Sequence, residues 1–252
     1  MGIRFDTSGY FLHGINLDDW YPCWNLALSG TLTSPDFMAS IEPGFSSCHQ
    51  RIRDVPLEEL RMAGLPRGMP TPRAVWALFA GTVASRGGHL GMGIGNTRWL
   101  PRSETDECVS RREVELAFEQ GRREVAPEAP SRLSSLYLAE DSDVGRTHIR
   151  NMLGPDMHIL RVVVAAAVRV HRADTRWYDR YCAERDPNYI TNYWQSLPAG
   201  SDPATWEILL DGQIRAWDEE GLEYIKNHGA HRAEDNTGLF GGDSGESSSV
   251  DK

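Results

Sequence analysis

The sequence lacks an apolar run long enough to cross a bilayer. Its longest such run, 162–168, has alanine at its centre and is bounded by Arg161 and Arg169, which predicts a buried strand. The first ten residues include Arg4 and Asp6 and have no apolar core of the kind that a signal peptide needs. Asp6 also stands where a myristoylation site requires serine or threonine. We therefore expect a cytoplasmic protein with no membrane partner, or an effector delivered without a conventional signal peptide.

Lysine and cysteine are both scarce. Lys226 and Lys252 are the two lysines, so nearly all positive charge is arginine, and the net charge is −10. An acidic protein gains little from unspecific contact with nucleic acid or anionic membranes. The four cysteines form no CxxC pair, which favours reduced thiols over a disulfide framework. A zinc site built on Cys48 and His49 would need distant partners and is disfavoured, so no metal is predicted.

A glycine-rich stretch over 87–95 lacks the features of a dinucleotide-binding loop. Its spacing does not fit GxGxxG, and no predicted strand precedes it. Trp99-Leu100-Pro101 follows where a helix would have to begin. The stretch is therefore interpreted as an ordinary loop.

The chain does contain enough apolar residues for a core. Hydrophobic residues make up 40% and charged residues 25%, the mixture typical of a globular domain. We predict one domain over 1–228, with 51–109 as a helical and loop insertion. Residues 229–252 are rich in glycine, serine and acid with almost no apolar content, which predicts a disordered tail.

The pattern of apolar residues predicts helices and strands in an irregular order. Ser110 and Glu113 read as a capping box that begins a helix, and Asp141 or Ser142 caps a second. The other expected elements are a helix over 72–85, strands over 133–139 and 158–170, and a hairpin of 206–210 and 213–217 turned by Asp211-Gly212. This order indicates an α+β domain and not an alternating βα pattern.

Three segments together carry a resemblance to a known family. They are Phe11-Leu12-His13-Gly14, then Ser-Arg-Leu-Ser-Ser-Leu-Tyr-Leu-Ala at 131–139, then Trp-Glu-Ile-Leu-Leu-Asp-Gly-Gln-Ile at 206–214. In this order they resemble the His, Tyr and Glu motifs of the diphtheria-toxin-like ADP-ribosyltransferases. The strand and helix over 136–152, followed by a valine-rich strand, are similar to the rifampicin-modifying and DNA-modifying members. The resemblance extends over 110–220 and reaches the N-terminal region only through His13-Gly14.

The resemblance implies an ADP-ribosyltransferase-like split antiparallel sheet with a helical insertion, and NAD as substrate. Glu207 would be the catalytic carboxylate, because cleaving the nicotinamide–ribose bond develops positive charge on the sugar. Tyr137 would stack on nicotinamide. His13 would hold a ribose hydroxyl, and Gly14 would let its backbone approach the carboxamide.

Two more residues complete the predicted NAD site, and each candidate has a structural alternative. Arg132 would grip an NAD phosphate, or would form an internal salt bridge. Ser134 would support the site by hydrogen bonds, or would occupy the polar face of a strand. Glu207 would otherwise be a solvated strand residue, and Tyr137 an ordinary core aromatic. His13 would otherwise be a structural histidine after a strand.

The acceptor is left open by the sequence. Family members that modify arginine typically carry Glu or Gln two residues before the catalytic glutamate, and here that position is Thr205. A nucleic acid, a protein, a small molecule or water remain as acceptors, for a toxin, a defence factor or a modifying enzyme. One rival is an inactive binding module of the same fold. The other is a nucleic-acid-binding protein that uses the arginines and aromatics of 169–181, which otherwise form a solvated, ion-paired helix face. The oligomeric state stays open.

Overall fold

The computed structural model describes residues 6–46, 49–63, 71–89, 91–92, 98–155 and 157–230. Residues 231–252 of the predicted tail over 229–252 lie outside these ranges, as does Cys48 of the disfavoured zinc site. The described part combines helices with an antiparallel sheet, so the predicted α+β class is confirmed. None of its helices has the length and apolar character that crossing a bilayer requires.

Seven strands are present in the described residues: β1 (Tyr10–Ile15), β2 (Thr31–Thr33), β3 (Gly91–Met92), β4 (Arg98–Trp99), β5 (Leu136–Glu140), β6 (His158–Asp174) and β7 (Trp206–Ala216). β3 and β4 pair only with each other, and the remaining five form one sheet in the order β2-β7-β5-β1-β6. β6 also pairs with β7 along most of its length. Four strands therefore close into a ring, because β1 and β7 each pair with both β5 and β6.

Eleven helices occur in the same residues: α1 (Trp20–Ser29), α2 (Pro35–Ile41), α3 (Pro43–Ser46), α4 (Leu57–Ala63), α5 (Pro72–Ala74), α6 (Gly81–Ser85), α7 (Arg102–Val125), α8 (Asp143–Leu153), α9 (Arg176–Glu184), α10 (Pro187–Trp194) and α11 (Glu219–His228). A 3₁₀ turn at Ile52–Asp54 precedes α4, and a π-helical segment at Val75–Ala80 joins α5 to α6. The Ser142 side chain accepts a hydrogen bond from the Gly145 backbone, which confirms the predicted cap of α8.

The sheet buries one face against α1 and α11 and the other against α7, α8 and α10. Phe11, Leu138, Ile208 and Leu210 belong to the core on the first side, together with Leu26 of α1 and residues of α11. On the second side, Leu209 packs with Phe118 of α7 and with Tyr193 and Trp194 of α10. Alternating side chains along each strand supply both cores. The charged residues discussed below lie on the second side.

The predicted capping box at Ser110 and Glu113 is wrong, because α7 already begins at Arg102. Ser110 lies inside the helix, and its hydroxyl accepts a hydrogen bond from Arg185. The eight residues before Ser110 contain neither glycine nor proline, so nothing interrupts the helix there. The helix instead follows Pro101 directly. A Ser-x-x-Glu pattern identifies a cap only where no helical turn precedes it.

The predicted insertion over 51–109 packs on the rest of the domain in its described parts. Ile52, Leu60 and Leu78 form one buried cluster with Leu116 of α7 and Leu133. Arg123 of α7 also donates to the carbonyls of Ile52 and Val55. These contacts join the segment to α7 as part of a common core, and α7 itself begins within the predicted insertion.

The predicted hairpin turned by Asp211-Gly212 is also wrong, because β7 runs without a turn from Trp206 to Ala216. β6 pairs with β7 on both sides of Gly212 and has register irregularities at 164–166 and 167–169. The irregular backbone comes so close that a Cβ on Gly212 would lie 2.2 Å from the Ala166 carbonyl oxygen. Glycine inside a strand marks such a close approach of two backbones as readily as it marks a turn.

Replacing Gly212 with alanine is expected to lower the free energy of unfolding by about 1–3 kcal/mol, the usual range for forcing an extra methyl group into packed structure. The new Cβ would displace the backbone of Ala166, which cannot rotate aside as a side chain can. Urea unfolding of Gly212→Ala and wild type measures the effect. Gly9→Ala is the control, because nothing lies within 4 Å of a Cβ at Gly9. Equal urea midpoints for Gly212→Ala and wild type would show that the two strands do not approach this closely.

Candidate functional site

A cavity of about 760 Å³ opens on the second side of the sheet. One wall is α8, which contributes Thr147 and His148. The start of α9, with Arg176 and Tyr178, and the start of β7, with Glu207, also line the cavity. Cavities of this size are typical of small-molecule and nucleotide sites. The cavity is therefore the candidate functional site.

Strand alternation determines which way Glu207 points. Ile208 and Leu210 enter the core beneath α1 and α11, so Glu207 and Leu209 face the other side. The neighbours of Glu207 across the sheet are Ala139 on β5 and Ala173 on β6. Because both neighbours are alanines, the glutamate side chain has room for a large partner on this face.

That partner is Arg132, which precedes β5. Its Nη1 donates to Glu207 Oε1 at 2.7 Å, and its Nε donates to Glu115 Oε2 at 3.2 Å. The Tyr193 hydroxyl donates to the same Glu207 oxygen at 2.8 Å and also contacts Arg132 Nη1. Tyr178 donates to Glu115 Oε1 at 3.1 Å. One buried arginine therefore joins a glutamate of α7 to a glutamate of β7.

Aromatic rings surround the Arg132 guanidinium. Its Cζ lies 4.3 Å from the ring centroid of Tyr178, and the rings of Phe118, Tyr137 and Tyr193 lie within 5.4 Å. A guanidinium is only weakly hydrated and stacks well on aromatic faces, so it can be buried here when its charge is also paired. The rings and the two carboxylates together fix Arg132, and Arg132 fixes Glu207.

Both glutamates stay ionised in spite of burial. Burial raises the pKa of Glu207, but the charges of Arg132 and Arg73 outweigh it and hold that pKa below its ordinary value. Burial likewise opposes ionisation of Glu115, and Arg132 and Arg73 lower the pKa of Glu115 to about 2. Arg73 Nη1 lies 2.5 Å from Glu115 Oε1. Glu207 is therefore an ionised carboxylate at neutral pH, paired with Arg132.

The depressed pKa of Glu115 makes the protein sensitive to acid. Its pKa is about 2 in the folded state against 4.5 ordinarily, so its stabilisation is complete above about pH 4.5 and is lost as the pH falls towards 2. The loss is about 3 kcal/mol. Urea midpoints between pH 7 and pH 2 measure it. The Glu115→Gln protein should be less stable than wild type at pH 7, and its stability should depend less on pH. Identical pH profiles for Glu115→Gln and wild type would refute the assignment.

Two buried atoms at the cavity lack hydrogen-bond partners. Glu207 Oε2 is buried and unpaired, although Oε1 of the same carboxylate has two donors. His148 Nε2, of another residue that lines the cavity, is also buried and unpaired. Leaving buried polar atoms unpaired costs free energy in an isolated protein, and such atoms cluster where ligands bind. A ligand in this cavity would have the Glu207 carboxylate and the His148 imidazole among the groups that surround it.

Of the predicted catalytic residues, Tyr137 lies on the same sheet face as Glu207. Its partner across the sheet is Leu209, and its hydroxyl donates to the Arg132 carbonyl at 2.7 Å. The Arg73 guanidinium lies over the Tyr137 ring, 4.2 Å from the centroid. In this arrangement Tyr137 positions Arg132 and Arg73, and its ring face is occupied by Arg73 rather than open to nicotinamide.

The structure does not bring His13 and Gly14 to the cavity. Alternation along β1 places His13 on the same face as Phe11 and Ile15, which is the side opposite Glu207. The His13 Nδ1 lies 2.7 Å from the Tyr137 carbonyl oxygen. Gly14 faces α8 so closely that a Cβ there would lie 2.5 Å from the Leu153 side chain. His13 therefore joins β1 to β5, and Gly14 lets α8 pack closely on β1.

Ser134 and Arg132 also have internal partners in place of the predicted NAD contacts. The Ser134 hydroxyl donates to Asp36 Oδ2 at 2.9 Å, and the other oxygen of Asp36 meets His49 Nε2 at 3.1 Å. Ser134 lies in the turn before β5, so the predicted strand from 133 begins only at Leu136. For Arg132 the salt-bridge alternative describes its contacts, which reach Glu115 and Glu207.

The arginines of 169–181 pair within the chain, as the alternative of an ion-paired surface predicts. Arg169 meets Asp211, Arg172 meets Glu140, and Arg176 meets Asp174. Arg180 donates to the Ala199 carbonyl. Arg169 and Arg172 lie on β6 and the other two on α9, so they do not form one helix face. This placement gives no support to a nucleic-acid surface.

Several residues of the site have no counterpart in the sequence prediction, namely Arg73, Glu115, His148, Tyr178 and Tyr193. Glu115 has a recognisable signal, because it lies beside Val114 on the apolar side of a helix, where an acid needs a buried cation. The others are single residues on separate helices. Among the described residues, no group of three or more His, Cys, Asp or Glu side chains is placed to hold a metal.

Most of this site lies in a part of the chain that matches a protein-family model. No curated protein matches the chain. Residues 102–225, from the start of α7 into α11, match the model of a family described as a protein of unknown function (DUF2441). The matched region contains Glu115, Arg132, His148 and Glu207, and it leaves out β1 and Arg73. The chain is therefore similar to this family through most of its cavity and through the ion-paired network behind it.

Proposed function

We propose that this protein cleaves NAD at the nicotinamide–ribose bond and transfers ADP-ribose to an acceptor. The observation that carries the proposal is the Glu207 carboxylate, buried and ionised on the cavity wall with Oε2 free of protein partners. Cleavage of this bond develops positive charge on the ribose, and a fixed carboxylate stabilises such charge. The sequence around Glu207 gives independent support through its resemblance to ADP-ribosyltransferases.

The surroundings of Glu207 suit this task. Arg132 and Tyr193 hold Oε1, so the carboxylate keeps one orientation while Oε2 faces a ligand. A group fixed before the reaction needs little reorganisation as charge develops. Because the Arg132 guanidinium is paired with Glu115 and Glu207, its role in this proposal is to position the carboxylate and not to bind a phosphate.

The cavity also carries positive charge suited to a diphosphate. Arg73, Arg111 and Arg176 line it, and each has an acidic partner that holds its side chain in place. Arginines held in this way can bind phosphate oxygens through their remaining donors. Tyr178 adds an aromatic surface between these charges. The site residues of the proposal are therefore Glu207 as the catalytic carboxylate and these three arginines for the NAD phosphates.

Nicotinamide release from NAD by the purified protein tests the proposal. The assay is run with and without cell lysate as a source of acceptor, and Glu207→Gln is measured beside wild type. Release that requires Glu207 supports the proposal, and stimulation by lysate indicates a macromolecular or small-molecule acceptor. Binding of NAD without release, from folded wild-type protein, would favour an inactive binding module. If folded wild-type protein neither bound NAD nor released nicotinamide, the proposal would be contradicted altogether.

A further inference from the structure

His148 has a place in the cavity that the proposed role of Glu207 leaves unexplained. It lies on α8, close to Gly145 and Ile149 on the buried face of that helix, and is 8% exposed. Its Nε2 is a buried atom without a hydrogen-bond partner, and the residue lines the cavity. Among the described residues, three histidines have a buried ring nitrogen without a hydrogen-bond partner, namely His49, His148 and His158, and of these His148 alone lines the cavity.

The charges that face His148 come from four separate segments. Glu207 on β7 and Asp179 on α9 favour the protonated ring, whereas Arg132 and Arg73 oppose it. Burial is the largest influence and lowers the pKa of His148 below 6.5. The ring is therefore neutral at pH 7, and an unpaired nitrogen of a neutral imidazole can accept a proton.

We propose that His148 is the general base that takes the proton from the acceptor hydroxyl, or from water, as that group attacks the ribose. This inference rests on the proposed function. The new bond joins the nucleophile oxygen to the ribose C1, while the bond from C1 to the nicotinamide nitrogen breaks and its electron pair stays on nicotinamide. The proton of the nucleophile moves to His148 Nε2 and later to solvent. Glu207 and His148, which both line the cavity, thus have separate roles in one transfer.

This division of roles limits the acceptor chemistry. A nucleophile that loses its proton during attack gains from a base within hydrogen-bond reach, typically by 10²–10⁴-fold in rate. Water and hydroxyl groups belong to this class. The inference therefore favours a nucleophile that has a proton to lose, such as water or a hydroxyl group, and Thr205 stands where arginine-modifying ADP-ribosyltransferases carry Glu or Gln.

The experiment compares His148→Gln with wild type in whichever NAD assay condition gives nicotinamide release, over pH 5–9. We expect kcat at pH 7 to fall about 10²-fold or more, with the dissociation constant for NAD, measured by equilibrium dialysis, changed less than about threefold. The wild-type rate should fall as the pH drops through the pKa of His148, below 6.5. The rate of the variant should not show this fall. Added imidazole should restore part of the activity of His148→Ala.

His158→Gln is the matched control. Its Nε2 is also buried and unpaired, and burial lowers the pKa of His158, but it packs against Tyr224 of α11 and not at the cavity. This variant should keep the wild-type kcat and the same fall in rate at low pH. If His148→Gln kept the wild-type kcat and the same fall in rate at low pH, the inference would be overturned while the proposed function stayed intact. The same would follow if imidazole did not restore activity to folded His148→Ala. Absence of release by wild type would overturn both.

Discussion

Glu207→Gln is expected to lower kcat for nicotinamide release by about 10²–10³-fold, the usual effect of removing one preorganised electrostatic group. Glutamine keeps the size and shape of the side chain, and it still offers an oxygen to Arg132 and Tyr193. What it removes is the charge that stabilises the ribose. The dissociation constant for NAD should change little, because the charge acts in the transition state. Steady-state assays and equilibrium dialysis measure the two quantities.

Glu119→Gln separates this loss of charge from a general effect of removing a buried glutamate. Glu119 is buried and ion-paired with Arg122 and Arg123 on α7, so its change also breaks a buried pair. It does not line the cavity. The Glu119→Gln protein should therefore lose stability and keep its turnover below its unfolding temperature. A folded Glu207→Gln protein with wild-type kcat would contradict the assignment of Glu207.

Arg132→Met is expected to destabilise the fold by about 3–5 kcal/mol, the cost of leaving a buried charge without its partner. Glu207 loses its ion pair with Arg132, whereas Glu115 keeps its ion pair with Arg73. The cost should shrink at acidic pH, where Glu207 can be protonated in the absence of Arg132. Urea unfolding at pH 7 and pH 4.5 measures both effects.

Two variants test this explanation. Arg132→Lys keeps the charge but cannot contact both glutamates through one planar group, so it should lie between wild type and Arg132→Met. Arg51→Met removes an arginine from an exposed pair with Asp54, which should cost less than about 1 kcal/mol. If Arg132→Met were no more destabilising than Arg51→Met, the buried network would contribute little to stability.

Local patterns in the sequence are enough to predict the parts that neighbouring residues determine. The alternation of Trp206 to Leu210 correctly separates Glu207 from Ile208 and Leu210, because successive residues of any strand face opposite sides. The Ser142 cap of α8 depends on a contact three residues away. The α+β class follows from the order of the segments alone.

Tertiary structure decided what residues far apart in the sequence do to one another. Asp211-Gly212 has the composition of a turn, but the irregular backbone of β6 requires glycine there and keeps β7 extended. Closure of β1, β5, β6 and β7 into a ring fixes His13 on the side away from Glu207. Sequence patterns describe one element at a time, so they do not reveal which strands pair or where a ring closes.

The candidate site shows the same division. The sequence by itself determined that a glutamate on β7 leaves the core beneath α1 and α11. Three helices, α7, α8 and α10, pack on one sheet face, and this packing brings the carboxylate together with Arg132 and Tyr193 and places it in one cavity with His148. Ion pairing acts over a few ångströms in space and not along the chain. The partners of Glu207 were therefore fixed only when these helices and strands came together.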